Sequence, residues 1–114
     1  MKNDALILKK VLEHCDGIMK GIEFFGKDEE MFLSNKIFQK SCVFDIIQIG
    51  ELVKDLSSEF KEMHKHLNWK GMTGVRNIIV HNYGEILHED IWIMITEDIP
   101  ELIEVCERTL SKAK

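Results

Sequence analysis

Eight apolar residues in the middle of the chain follow one another in alternating steps of four and three. They are Cys42, Ile46, Ile49, Val53, Leu56, Phe60, Met63 and Leu67. A strand repeats every two residues, so this spacing forms a single stripe only on a helix. It predicts one long helix that starts near Ser34 or Asn35 and frays between Met63 and Asn68. Such a stripe packs on other helices at shallow angles, as in a bundle.

The flanking segments repeat the pattern. A first helix is expected from Asn3 or Asp4 to Phe25, with Asp4 capping its free N–H groups and Gly26 providing a left-handed stop. Ile7, Val11, Cys15, Ile18, Ile22 and Phe25 share one face of it. A short helical turn, Asp28 to Leu33, follows. A third helix should run from Trp69 to about His81. It contains Gly71 and Gly74, each costing a helix about 1 kcal/mol relative to alanine, so close approach of another backbone or a ligand is their expected use. The last helix, about Glu89 to Leu110, turns Trp92, Ile95, Ile99, Leu102, Cys106 and Leu110 inward. Pro100 lies within it and should kink it, because proline removes a donor and clashes with the preceding turn.

The resulting fold class is all-α: four main helices plus a short helical turn, the last helix kinked at Pro100. One proline and seven glycines are too few turn residues for a sandwich or barrel. A length of 114 residues fits a single domain, 1–114. No apolar run approaches a membrane span or a signal peptide, so a cytoplasmic protein is expected. Cys15, Cys42 and Cys106 have no paired spacing and read as reduced core thiols.

Net charge is −5, which argues mildly against gripping nucleic acid by bulk charge. The distribution is uneven. From Glu85 to Glu107 there are eight acidic residues and no Lys or Arg. An anionic ligand should therefore sit near the basic residues before that stretch, such as Lys70 and Arg76.

The segment Arg76-Asn77-Ile78-Ile79-Val80-His81-Asn82-Tyr83 concentrates reactive side chains at the end of a helix. Asn77 and His81 are four apart and share a face. Arg76 and His81 are five apart, about 140° around an ideal helix. They converge only if the arginine reaches round or the helix unwinds. These groups suit phosphodiester cleavage. An arginine fork matches phosphate and stabilises developing charge, and a histidine can take the proton of an RNA 2′-hydroxyl and return one to the leaving group. That route needs no metal and no cofactor. Read without that chemistry, His81 complements the helix dipole and Tyr83 is an aromatic at the core's edge.

The stretch resembles the HEPN superfamily, whose signature is Arg, four to six residues, then His. It is most similar to the HepT-like toxin family, with its longer R-N-x-x-x-H-x-Y pattern, here Arg76, Asn77, His81 and Tyr83. Ile47-Gln48-Ile49-Gly50-Glu51 resembles that family's I-G-E helix. Leu67-Asn68-Trp69 resembles the entry to its motif helix, and Trp92 with Asp98-Ile99-Pro100-Glu101-Leu102 its last helix. The similarity spans about Phe44 to Leu110. It implies a HEPN-type bundle that pairs into a homodimer, and a metal-independent endoribonuclease toxin with Arg and His of both protomers in one cleft. Arg76 would stabilise the phosphorane, His81 would be acid and base, and Asn77 would orient the phosphate or the imidazole. Tyr83 matches the tyrosine to which a nucleotidyltransferase antitoxin adds AMP. The alternative implied is a non-catalytic HEPN module that binds nucleotide or such a partner. Two positions depart from the family: Gly84 replaces a frequent aromatic, and Leu87 replaces an Asp that would cap the last helix.

Other features carry less. Gly50 would let another helix approach. Glu51 is either a surface carboxylate or a partner that holds the Arg76 guanidinium. His64 and His66 lack the further ligands of a metal site. Glu85-x-x-His88 is half of a di-iron pattern whose second half is missing.

Overall fold

A computed structural model describes residues 2–112 and is helical almost throughout. Helices α1 (Lys2–Phe25), α3 (Lys36–Lys54) and α5 (Trp69–Asn82) are three of the four main elements. The fourth is one helical path made of α6 (His88–Ile93), a five-residue π turn (Met94–Asp98) and α7 (Ile99–Lys112). Short helices α2 (Glu29–Ser34) and α4 (Ser58–Met63) fill the connections. Helix α3 is the centre of the packing: it lies against α1 on one side and α5 on the other, while α7 covers α1. No described helix is long and apolar enough to cross a membrane.

The stripes end up inside. Val11, Cys15 and Ile18 of α1 are fully buried, as is Leu8. Cys42, Ile46, Ile49 and Val53 bury the matching face of α3. Ile95, Ile99, Leu102 and Cys106 close the core from the last helical path. Gly26 takes φ +99°, and its N–H reaches the Ile22 carbonyl at 2.7 Å, which is the expected left-handed stop of α1.

The long central helix is interrupted. It stops at Lys54, and a new helix starts after Ser57, whose hydroxyl caps α4 by accepting from the Phe60 N–H at 3.1 Å. The cause lies 53 residues upstream. The Asp4 carboxylate is buried and accepts from the Ser57 N–H at 2.9 Å and from its hydroxyl at 2.6 Å. Asp4 therefore does not cap its own helix, but pins the first turn of α1 to the joint between α3 and α4. Leu56, Phe60 and Leu67 remain buried across the break, whereas Met63 is 73% exposed and leaves the stripe.

Pro100 is accommodated by the widened turn just before it. Its missing N–H and its ring leave the preceding carbonyls without their normal partners. Within that turn the Thr96 hydroxyl donates to the Trp92 carbonyl at 2.8 Å, a back-bond that bends a helix. The last helix starts at His88, preceded by Leu87, which offers no side-chain cap. Only the Leu87 carbonyl takes part, accepting from the N–H groups of Asp90 and Ile91.

Candidate functional site

The site begins where α3 and α5 come closest. At Gly50, a Cβ would overlap the Cβ of Arg76 and lie 2.9 Å from the Met72 carbonyl oxygen. Only glycine lets α5 pass at that distance. The next residue, Glu51, then meets the arginine head: Arg76 Nη2 lies 2.5 Å from Glu51 Oε2. Of the two readings of Glu51, the partner of Arg76 is the one observed. Arg76 Nη1 donates to Asn77 Oδ1 at 2.9 Å. The arginine side chain is only 20% exposed, and its buried Nε–H has no hydrogen-bond partner among the described residues. Burying a guanidinium donor without a partner costs stability, so such a group in a folded chain asks for a reason.

Glu51 is shared. Lys54, one turn further along α3, places its ammonium 3.2 Å from Glu51 Oε1. The hydrogen bond from Lys54 is the main cause that holds the Glu51 carboxyl below the usual carboxylate range; desolvation opposes it, and the Arg76 charge adds to the lowering. Glu51 therefore stays ionised and keeps the arginine head in place.

Helix α5 is anchored at its start. The Asn68 side chain accepts from the Gly71 N–H at 3.1 Å and donates to Asp98 Oδ2 at 3.0 Å. Gly71 has no Cβ because the Asn68 side chain occupies that space; its close neighbour is its own cap, not another backbone. Gly74 has no neighbour within 4 Å of a Cβ position, so no close packing requires it. The Trp69 indole N–H is shared between the carbonyls of Lys61 and His64, at 3.2 and 3.0 Å, which ties α5 to the end of α4. Lys70 follows in the first turn and is exposed.

Further along, α5 stays regular through Asn82, so nothing unwinds near His81. His81 is exposed. It sits about 140° round the axis and about 7.5 Å along it from Arg76, given 100° and 1.5 Å per residue. Arg76 is held against α3 by Glu51, so a single chain brings together Arg76, Asn77 and Glu51, while His81 lies one turn beyond Asn77 and well round the axis from Arg76. Tyr83 opens a 3₁₀ turn, Tyr83–Glu85, and is 45% exposed. Its hydroxyl is hydrogen-bonded to His88 Nε2 at 3.2 Å. Sequence reasoning weighed His88 only as half of a metal pattern. The signal for its contact is the tight turn after Asn82, which brings residues five apart back together.

A cleft of about 780 Å³ opens beside this cluster, between the end of α3, α4 and the first half of α5. Lys54 and Asn77 belong to its lining as well as to the arginine cluster.

The sequence pattern of the ribonuclease HepT-like family matches residues 12–109. A protein of Caldanaerobacter subterraneus subsp. tengcongensis, described as a candidate RNase, is 32% identical over the full length of both chains. A Methanocaldococcus jannaschii protein with the same description is 30% identical over 96% of this chain and 88% of its own. A protein of Thermococcus cleftensis, described as a probable ribonuclease HepT, is 30% identical over 82% of this chain and 87% of its own. No solved structure matches. A match that runs from the first helix to the last, and takes in the Gly50–Glu51 and Arg76–Tyr83 segments on the way, makes this chain a member of the ribonuclease HepT-like family.

Proposed function

We propose that this endoribonuclease cuts RNA without a metal, using Arg76 of one protomer and His81 of a second in a homodimer. The observation that carries the reading is the arginine head, fixed by Glu51 and Asn77 beside an open cleft with its Nε–H unsatisfied. A fork held in that way binds a phosphate without first being ordered, and its spare donor gains a partner when charge builds on the phosphorane. His81 takes the 2′-hydroxyl proton as that oxygen attacks phosphorus, and a proton is returned to the departing 5′-oxygen. Because α5 stays regular, the imidazole of the same chain is about 140° round the axis from Arg76, which favours a site completed by a second copy. Asn77 orients the guanidinium and, when RNA is bound, the phosphate.

The chain acts in this reading as the toxin of a toxin–antitoxin pair, in the cytoplasm. A nucleotidyltransferase antitoxin silences it by adding AMP to Tyr83. The exposed hydroxyl suits such a transfer, and adenylate adds bulk and negative charge two residues from His81, where it repels RNA phosphate.

The test of the chemistry is RNA cleavage in EDTA. Wild type should cut, and Arg76→Ala and His81→Ala should each stay folded and lose at least ~10² in rate. Cleavage that stops with EDTA, or survives in His81→Ala, defeats the mechanism. For Tyr83, intact mass after co-expression with a cognate nucleotidyltransferase should rise by adenylate and should not in Tyr83→Phe.

A further inference from the structure

The cleft beside Arg76 differs electrically from the rest of the chain. Lys54, Lys61, Lys65 and Lys70 line it against one carboxylate, Glu62, in a protein of net charge −5. Two of these charges are partly offset: Lys54 by Glu51 at 3.2 Å and Lys65 by Glu62 at 3.7 Å. The other two are not. Lys61 donates to the Lys54 carbonyl at 3.2 Å, which leaves its charge uncancelled, and Lys70 makes no ion pair among the described residues. Low-dielectric walls concentrate the field of such a set, so anions should collect there in spite of the chain's overall sign.

We propose that this cleft holds a short single-stranded stretch of the RNA backbone and leads it to Arg76. The inference rests on the ribonuclease reading above and deepens it by naming where the substrate strand lies. Continuity decides for nucleic acid. One end of the cleft is Asn77, which accepts from Arg76, and Lys54 shares Glu51 with the same guanidinium. A strand held by the lysines therefore runs directly into the phosphate fork. The α5 wall from Trp69 to Asn77 is about 12 Å long, room for about three stacked nucleotides at ~3.4 Å each. Lysine ammonium groups bind phosphates as point charges without reading bases, so the cleft contributes affinity and register rather than sequence choice. Gly74 lines the same wall with open space around it, which keeps the cleft clear beside Asn77.

The experiment is fluorescence anisotropy of wild-type protein with a labelled 2′-O-methyl RNA octamer, titrated at several salt concentrations. The modified strand lacks the attacking hydroxyl and cannot be cut, so the measurement reports binding alone. Lys61→Gln with Lys70→Gln should weaken binding about 10-fold or more and make the salt slope shallower by ~1.4, at ~0.7 per lost contact. Gly74→Glu, which adds a carboxylate to the cleft without a clash, should weaken binding too, and Gly74→Ala should not. Lys9→Gln with Lys10→Gln, exposed on α1, should match wild type. Affinity and slope unchanged in the Lys61/Lys70 variant, or lost equally in the Lys9/Lys10 control, overturn the proposal. So does a polyglutamate peptide that depends on these lysines while RNA does not, since the cleft would then take an acidic polypeptide. A protein that fails to cut RNA yet binds the octamer through these lysines removes the catalytic reading and leaves this one standing.

Discussion

Helix α3 presents a charged residue to each of its neighbours, and the two contacts are built alike. Toward α1, the Asp45 carboxylate fits over Gly17, where a Cβ would come within 2.5 Å of Oδ2, and accepts from His14 Nδ1 at 2.9 Å. Toward α5, Arg76 fits over Gly50 and meets Glu51. The first contact is closed. His14 and Asp45 are mostly buried, satisfy each other, and take the edge of Phe44 against the imidazole. The second is open. Its arginine retains an unsatisfied donor, its carboxylate is divided between Arg76 and Lys54, and a cleft begins next to it. Spare hydrogen-bonding capacity, rather than the presence of an ion pair, separates the two contacts.

If the open contact is completed by a second chain, mixing Arg76→Ala with His81→Ala protein should restore cleavage to about a quarter of wild type. Half of the dimers are then mixed, and each mixed dimer has one intact Arg–His site. No recovery after subunit exchange would mean that each chain works alone. Gly50→Ala should destabilise the fold by about 1–3 kcal/mol in urea unfolding, because the new methyl meets Arg76 Cβ and a backbone carbonyl that has no room to shift. Gly17→Ala should stay within about 1 kcal/mol of wild type. Its methyl meets the end of a side chain, and alanine gains helix propensity. Equal costs would erase the distinction drawn between the two contacts.

Glu51→Gln should lower cleavage about 10-fold by loosening the fork, and His14→Ala should leave the rate unchanged. The pH response follows from the lowered Glu51 carboxyl. Its contribution to stability is present above the ordinary glutamate value of ~4.3 and fades as pH falls through the folded-state value, so acid unfolding should be less steep in Glu51→Gln. The effect is small because the carboxylate is half exposed. The smallest expected signal lies in the closed core. Burial pushes the Cys42 thiol up to about 11 and Cys106 to about 12, and raises Cys15 further. A thiol reagent at pH 8 should label none of the three until denaturant is added.

The helices could be read in the sequence because their burial follows a local period. Cys42, Ile46, Ile49 and Val53 needed no knowledge of distant residues. The break at Asp55–Ser57 could not be read, because the apolar stripe passes through it and its cause is Asp4, a residue from the other end of the chain. Asp4 looked like an ordinary cap, and a carboxylate's partner across 53 residues leaves no periodic trace. In the site, Arg76, Asn77 and His81 stood out by residue type, and Gly50 and Glu51 by adjacency to a strong stripe. The Tyr83–His88 contact depends on a turn geometry that spacing does not encode. The cleft was legible only through Lys70, since its other lysines come from α3, α4 and the turn after α4 and meet only after folding.

The widened turn before Pro100 acts at a distance. One surplus residue in a helix swings everything beyond it by about 100°, and Asp98, the last residue of that turn, holds Asn68, which in turn seats the first N–H groups of α5. The bearing of the helix that carries Arg76 is therefore set in part by an imino acid 24 positions downstream. A lineage that straightened that turn would have to re-aim the segment from Arg76 to Tyr83 as well.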